Sequence, residues 1–237
     1  MGSFDQEMTE RKRCVALLSG GLDSAVAAAI AKKQGLELYA LTVDYGQKNR
    51  FELEAAKKMA EFLGAREHVV LKVPFGAIAS SALTREDIDV PKDRSERDRS
   101  RGIPQTYVPA RNIILLALAC SWAESIGAEY VFVGFNILDY SGYPDCRPEF
   151  IKAFEHMLEV GTKAGVDGKP VRIKAPLLMS KKSEIVRLGH RLGVDFALTM
   201  SCYEPTPDGK PCGRCDSCLI RRRAFEEAGI KDPLLEG

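Results

Sequence analysis

CVALLSGGLDSAVAAAI, residues 14–30, sets two glycines, two serines and an aspartate between an apolar run and an alanine-rich segment. The run 15–18 has the length and composition of a buried strand, and 25–34 has the alanine content of a helix. Between them, Ser19-Gly20-Gly21-Leu22-Asp23-Ser24 turns strand directly into helix. Glycine reaches backbone angles closed to other residues and lets a ligand approach the main chain. Backbone N–H groups, the hydroxyls of Ser19 and Ser24 and the positive end of the helix then converge on one point, an arrangement suited to an anion. No lysine follows the glycines and GxGxxG is absent, which disfavours a Walker nucleotide loop and a dinucleotide. The plainer alternative makes Asp23 or Ser24 a helix N-cap in a tight turn.

Outward from this turn, short apolar runs alternate with helical patterns. Residues 38–43, 67–73, 130–134 and 171–175 read as strands, and 50–63, 112–126, 148–163 and 181–192 as helices. Such alternation predicts an α/β fold, a Rossmann-like parallel sheet with helices on both faces and ligands at the carboxyl ends of its strands. This domain is expected to span 1–197, with a small cysteine-rich segment at 198–237. Within it, residues 84–107, TREDIDVPKDRSERDRSRGIPQTY, carry too much charge and too little apolar surface to pack alone. They are expected to form a disordered insertion in preference to a mobile lid.

Composition narrows the function. The 237 residues are 45% hydrophobic and 28% charged, with a formal net charge of +1, so no global field draws the chain to nucleic acid or anionic membrane. No apolar run is long enough to span a bilayer and no signal-type segment opens the chain; a cytoplasmic protein without a membrane partner is expected. The seven cysteines, odd in number and without an export signal, do not read as a disulfide scaffold. Cys14 and Cys120 sit in apolar surroundings as small hydrophobes.

Four cysteines cluster near the C-terminus. Cys202, Cys212, Cys215 and Cys218 follow C-x9-C-x2-C-x2-C, a spacing that lets four thiolates close a tetrahedron around one zinc ion per chain. An iron–sulfur cluster accepts the same ligands and ranks second. A closed four-sulfur shell leaves no position for substrate, so the metal is structural. The competing reading is a zinc-ribbon binding module in which Arg214 and Arg221-Arg222-Arg223 grip nucleic acid; near-neutral charge makes it the weaker one.

After the fourth strand comes GFNILDYSGYPDCRPEF, residues 134–150. Tyr140 and Tyr143 offer faces for a flat heterocycle, Asp139 and Asp145 offer acceptors for adjacent ring N–H and amino donors, and Arg147 offers a partner for a carboxylate. The loop alone also reads as an ordinary turn before a proline-started helix.

The hexapeptide SGGLDS resembles the pyrophosphate loop of the N-type ATP pyrophosphatases. Together with YVPARNIILLALA from Tyr107, DYSGYPDCRPEFI from Asp139, GKPVRIKAPL from Gly168 and the spaced cysteines, it closely resembles the 7-cyano-7-deazaguanine synthase family of the queuosine precursor pathway. The resemblance runs from about Cys14 to Gly229. It implies an adenine nucleotide alpha hydrolase-like fold that uses ATP and magnesium. Leu18, Ser19, Gly20, Gly21, Leu22, Asp23 and Ser24 would hold the nucleotide with Val43 and Asp44; Asp23, Ser24, Arg111 and Lys181 would serve catalysis. Lys48 and Arg50 lie close enough in sequence to reach phosphate oxygens. The implied reaction joins 7-carboxy-7-deazaguanine and ammonia through an adenylated acid and then an adenylated amide, in a homodimer. A departure is Asn49, where histidine is expected in many relatives. The alternative is a tRNA-modifying or other amidating member of the same superfamily; a thiolating one would need a catalytic cysteine, and Cys146 is the candidate. His68, His156 and His190 have no triad partners in the pattern.

Overall fold

The computed structural model describes residues 11–99, 102–138 and 143–235. Five parallel strands form one sheet: β1 (Arg13–Leu17), β2 (Glu37–Asp44), β3 (Glu67–Lys72), β4 (Tyr130–Phe132) and β5 (Arg172–Lys174), in the order β3-β2-β1-β4-β5. Around it lie α1 (Leu22–Lys33), α2 (Phe51–Leu63), α3 (Glu96–Arg99), α4 (Arg111–Ser125), α5 (Pro148–Gly161), α6 (Lys163–Val166), α7 (Lys182–Arg191) and α8 (Asp216–Ala228). The predicted strands and helices are all present, displaced by a few residues at their ends.

Alternation along β1 explains the two layers. Cys14 and Ala16 join a core with α1, α2, α7 and α8, whereas Val15 joins a second core with α4 and α5. Successive strand side chains point to opposite faces, so one strand feeds both. The alanines of α1 bring that helix close to the sheet: Ala25, Ala28 and Ala31 are fully buried. In α5 the predicted helix stops at Gly161, and Thr162 accepts the Gly165 N–H at 3.0 Å to start α6.

The described residues of 84–107 depart from the disordered excursion predicted. Val90 is 4% exposed and packs with Cys202, Cys215 and Cys218. Lys92 bridges to Cys215 through the backbone, Arg94 donates to Asp216 at 3.0 Å, and Lys48 Nζ donates to the Ile88 carbonyl at 2.7 Å. The local charge count missed this because the partners lie far along the chain. α3, all of it charged, is the segment's short helical turn.

The C-terminal stretch shares the main core through Ala224 and Phe225. Its arginine run is occupied internally. Arg221, 3% exposed, donates to both Asp232 oxygens at 2.7 and 2.8 Å and to Thr199 at 2.7 Å. Arg222 donates to the Gly213 carbonyl, and Arg223 to Glu227. The three guanidinium groups are not a common basic strip of the kind that grips phosphates. No helix among the described residues is long and apolar enough to cross a membrane.

Candidate active site and cysteine cluster

β1 lies between β2 and β4, so the chain leaves it toward opposite sides of the sheet and a crevice opens at the strands' carboxyl ends. A cavity of about 260 Å³ occupies this place. Leu18, Ser19, Gly21, Leu22, Asp23 and Ser24 form one wall, with Val43 beside them. The hydroxyls hold the turn in shape: Ser24 Oγ donates to the Gly21 carbonyl at 2.9 Å, and the Ser19 N–H donates to Ser24 Oγ at 3.2 Å. Neither Asp23 nor Ser24 is the N-cap of α1. That position is Gly21, which brings no side chain, so the first N–H groups of the helix are left for a ligand.

Two glycines are demanded by geometry. Gly20 has φ +80°, and a Cβ there would stand 2.3 Å from the Glu52 carbonyl oxygen. Gly134 follows β4, where a Cβ would meet the Ser24 backbone nitrogen at 2.6 Å. Gly134→Ala is therefore expected to push the start of α1 outward and weaken ATP binding at least about tenfold, or about 1.4 kcal/mol. Calorimetric titration with ATP checks this; unchanged affinity would show that the turn tolerates displacement.

Charged side chains line the cavity beside the turn. Lys182 Nζ lies 2.6 Å from Asp23 Oδ2, while Lys181 falls on the N-cap position of α7 outside the cavity lining. The lysine brought to the loop is thus the neighbour of the one expected. Arg111 lines the cavity from the start of α4, donating to the Tyr45 hydroxyl at 3.2 Å with its guanidinium 5.4 Å from that ring's centre. Lys48 lines it too. Arg50 does not: it makes a paired contact with Asp44 at 2.7 and 2.8 Å, which holds that carboxylate below its ordinary range. Asp44 thereby stands outside the cavity lining next to Val43, which lines it.

The loop expected to read the substrate is divided. Asp139 and Tyr140 lie outside the described residues. Tyr143 lines the cavity, its hydroxyl 2.9 Å from Thr106 Oγ1 and its ring 5.9 Å from Tyr107. Asp145 is buried behind Asn112, accepting that residue's backbone N–H at 3.2 Å. Burial pushes its carboxyl up, against the pull of Asn112 and Arg111, and its Oδ1 has no hydrogen-bond partner. Arg147 is exposed at the N-cap of α5, away from the cavity. Cys146 lines the cavity, but burial pushes its thiol up to about 12. A thiol so protonated is a poor nucleophile.

Lys182, Tyr45, Glu52, Asn112 and Tyr203 also line the cavity without having been singled out from sequence. Lys182 was within reach, since a Lys-Lys pair opening a helix presents its two side chains about 100° apart and a single one faces the sheet. The others lacked a motif of their own.

Below this cavity the four cysteine sulfurs lie within 4.8 Å of one another, with Cys212 and Cys218 Sγ 4.0 Å apart. A zinc ion about 2.3 Å from each of four sulfurs needs edges of about 3.8 Å, so the cluster fits the ion with little movement. The Cys212 N–H points to Cys202 Sγ at 3.2 Å and the Cys215 N–H to Cys212 Sγ at 3.4 Å, as suits thiolate acceptors. Asn49 ties the cluster to the cavity, where it is a lining residue, donating to the Cys202 carbonyl at 2.6 Å.

A family model described as queuosine biosynthesis protein QueC matches residues 13–229. The 7-cyano-7-deazaguanine synthase of Anaeromyxobacter dehalogenans strain 2CP-C is 55% identical over 225 residues, 95% of this chain and 96% of that protein. The protein of the same name from Anaeromyxobacter sp. strain Fw109-5 is 56% identical over 224 residues, covering 94% and 96%. Among solved structures, NMN synthetase from Francisella tularensis aligns with a TM-score of 0.45 at 19% identity, over 93% of this chain and 79% of that one.

Proposed function

The chain belongs to the QueC family of queuosine biosynthesis proteins, and on that premise we propose that it converts 7-carboxy-7-deazaguanine and ammonia into 7-cyano-7-deazaguanine, driven by ATP. It is a carbon–nitrogen ligase. The substrate carboxylate takes AMP from ATP and releases pyrophosphate; ammonia displaces AMP to give the amide. A second ATP adenylates the amide oxygen, and loss of AMP gives the nitrile. The observation that carries this reading is the SGGLDS turn lining one cavity together with Arg111 and with Lys182, which is bonded to Asp23 of the turn. Backbone N–H groups and the helix start suit a leaving pyrophosphate, while the two cations suit the charge that develops on it.

Each residue's part follows from its place. Ser19 and Ser24 hold the turn, Val43 presents the edge where the adenine would lie, and Tyr143 offers a ring wall to the deazaguanine. Magnesium on the triphosphate would neutralise charge, and Asp23 is the carboxylate placed to hold it. Asp145 fits a positioning role, fixing the start of α4 and with it Arg111. The buried, protonated Cys146 thiol speaks against a thiolating activity. The test is pyrophosphate and AMP release with purified protein. Two ATP consumed per nitrile, and dependence on the deazaguanine acid, support the reading; release that ignores the acid overturns it.

Zinc belongs to the same proposal as a structural ion on Cys202, Cys212, Cys215 and Cys218, and when bound it joins the C-terminal stretch to the cavity floor. Cys215→Ser is expected to lower metal content from about one ion per chain to well below one and to loosen the C-terminal segment, because ligation and local folding are coupled. Elemental analysis decides it: full metal content in this variant contradicts the site. A cytoplasmic setting suits a reduced thiol cluster, and the homodimer rests on the family resemblance.

A further inference from the structure

Among the described residues lining the cavity, Asp23 and Glu52 are the carboxylates. Asp23 is held by Lys182 at 2.6 Å. Glu52 comes from the first turn of α2, and its own backbone carbonyl braces Gly20 of the pyrophosphate turn. It has no ion pair with a described residue, since Arg111 is engaged with Tyr45 and Arg50 with Asp44. Burial raises its carboxyl, against the pull of Arg111 and of the hydrogen bond with Asn49. A half-buried carboxylate on a reaction cavity, hydrogen-bonded to Asn49 but without an ion pair among the described residues, has the properties of a proton acceptor.

The proposed reaction needs such a group twice, at one atom. Ammonia is largely ammonium at neutral pH and has no lone pair until a proton leaves. The same nitrogen later becomes the imidate N–H, whose proton must leave as the nitrile forms. We propose that Glu52 marks the ammonium subsite of the cavity and is the base for both proton removals. This rests on the ligase reading above.

In the first stage Glu52 gives its proton to water, and the carboxylate so formed takes a proton from ammonium and becomes a neutral carboxyl again. The released ammonia attacks the acyl carbon, and the bond from that carbon to the AMP oxygen breaks with its electron pair on AMP. The leaving phosphate takes the surplus N–H proton, and Glu52 returns its proton to water. In the second stage adenylation of the amide oxygen leaves an iminium NH2, which loses one proton to the departing pyrophosphate, and Glu52 takes the remaining imidate N–H proton. The N–H pair becomes the third carbon–nitrogen bond, and AMP leaves with the pair of its C–O bond.

The experiment separates adenylation from amidation. In Glu52→Gln, exchange of pyrophosphate into ATP in the presence of the deazaguanine acid is expected to stay within about threefold of wild type, while amide formation from ammonium falls at least about 100-fold. Conversion of supplied amide to nitrile should fall similarly. Hydroxylamine, largely neutral at pH 7, needs no deprotonation and should give hydroxamate with the variant at close to the wild-type rate. Glu52→Asp, a carboxylate drawn back by one methylene, should fall between. Equal loss of exchange and amidation, unchanged amidation, or failure of hydroxylamine to rescue overturns the proposal. Absence of acid-dependent exchange in the wild-type protein would instead overturn the ligase reading.

Discussion

Lys182→Ala is expected to lower acid-dependent pyrophosphate release by about 10²- to 10³-fold, the scale of losing one preorganised donor to a developing charge. Lys182 opens α7, its side chain 13% exposed and bonded to Asp23 at 2.6 Å. With magnesium it balances the Asp23 carboxylate beside a highly negative triphosphate. Removing it therefore acts twice, by deleting a cation near the developing charge and by leaving Asp23 less fully balanced. Lys182→Arg is not expected to restore the rate, because a planar fork cannot take the place of a compact ammonium in a confined site. Lys181→Ala, outside the cavity lining, should change the rate by less than about twofold. Steady-state pyrophosphate release from the three variants checks the assignment, and a larger loss at Lys181 would return the role to the residue expected from sequence.

Asp232→Ala is expected to cost about 3–5 kcal/mol of stability, because it strands a buried guanidinium. Arg221 and Asp232 have side chains only 4% and 5% exposed, and their contact is bidentate. Thr199, Ser201 and the Phe196 carbonyl complete the arginine's partners, but none carries a charge. Replacing both residues, as Arg221→Met with Asp232→Ala, should recover much of the loss, since an apolar pair of similar volume avoids desolvating an ion. Arg223→Ala, whose side chain is 58% exposed, should stay within about 0.5 kcal/mol. Urea unfolding measures all three; a loss for Asp232→Ala no greater than that for Arg223→Ala would place the pair in solvent.

The layered sheet was legible in sequence because each strand and helix announces itself within a few residues. Val15 and Ala16 already separate the two cores. The cysteine cluster was legible for a similar reason, three of its ligands lying within seven positions. What escaped depends on distant partners. The charged segment 84–107 looked unable to pack because Arg94 meets Asp216 and Lys92 meets Glu204, contacts that no local window contains. Arg147 and Asp44 have the right chemistry in the right neighbourhood, yet the first faces water and the second is occupied by Arg50. Residue type defines what a side chain can do, and only the packing decides which direction it takes.

The cavity has a consequence for how the protein is made. Its first wall, Leu18 to Ser24, is translated long before Met200, Ser201, Tyr203 and Arg221, which complete the enclosure. β1 likewise waits for β4 before its second edge is paired, and parallel pairings of such separation form late. Nascent chains therefore carry a half-built nucleotide turn with an open sheet edge, a state prone to association with its neighbours. Adenylating capacity should arrive abruptly once α8 has been made and packed, so that its docking acts as the switch from inert chain to enzyme.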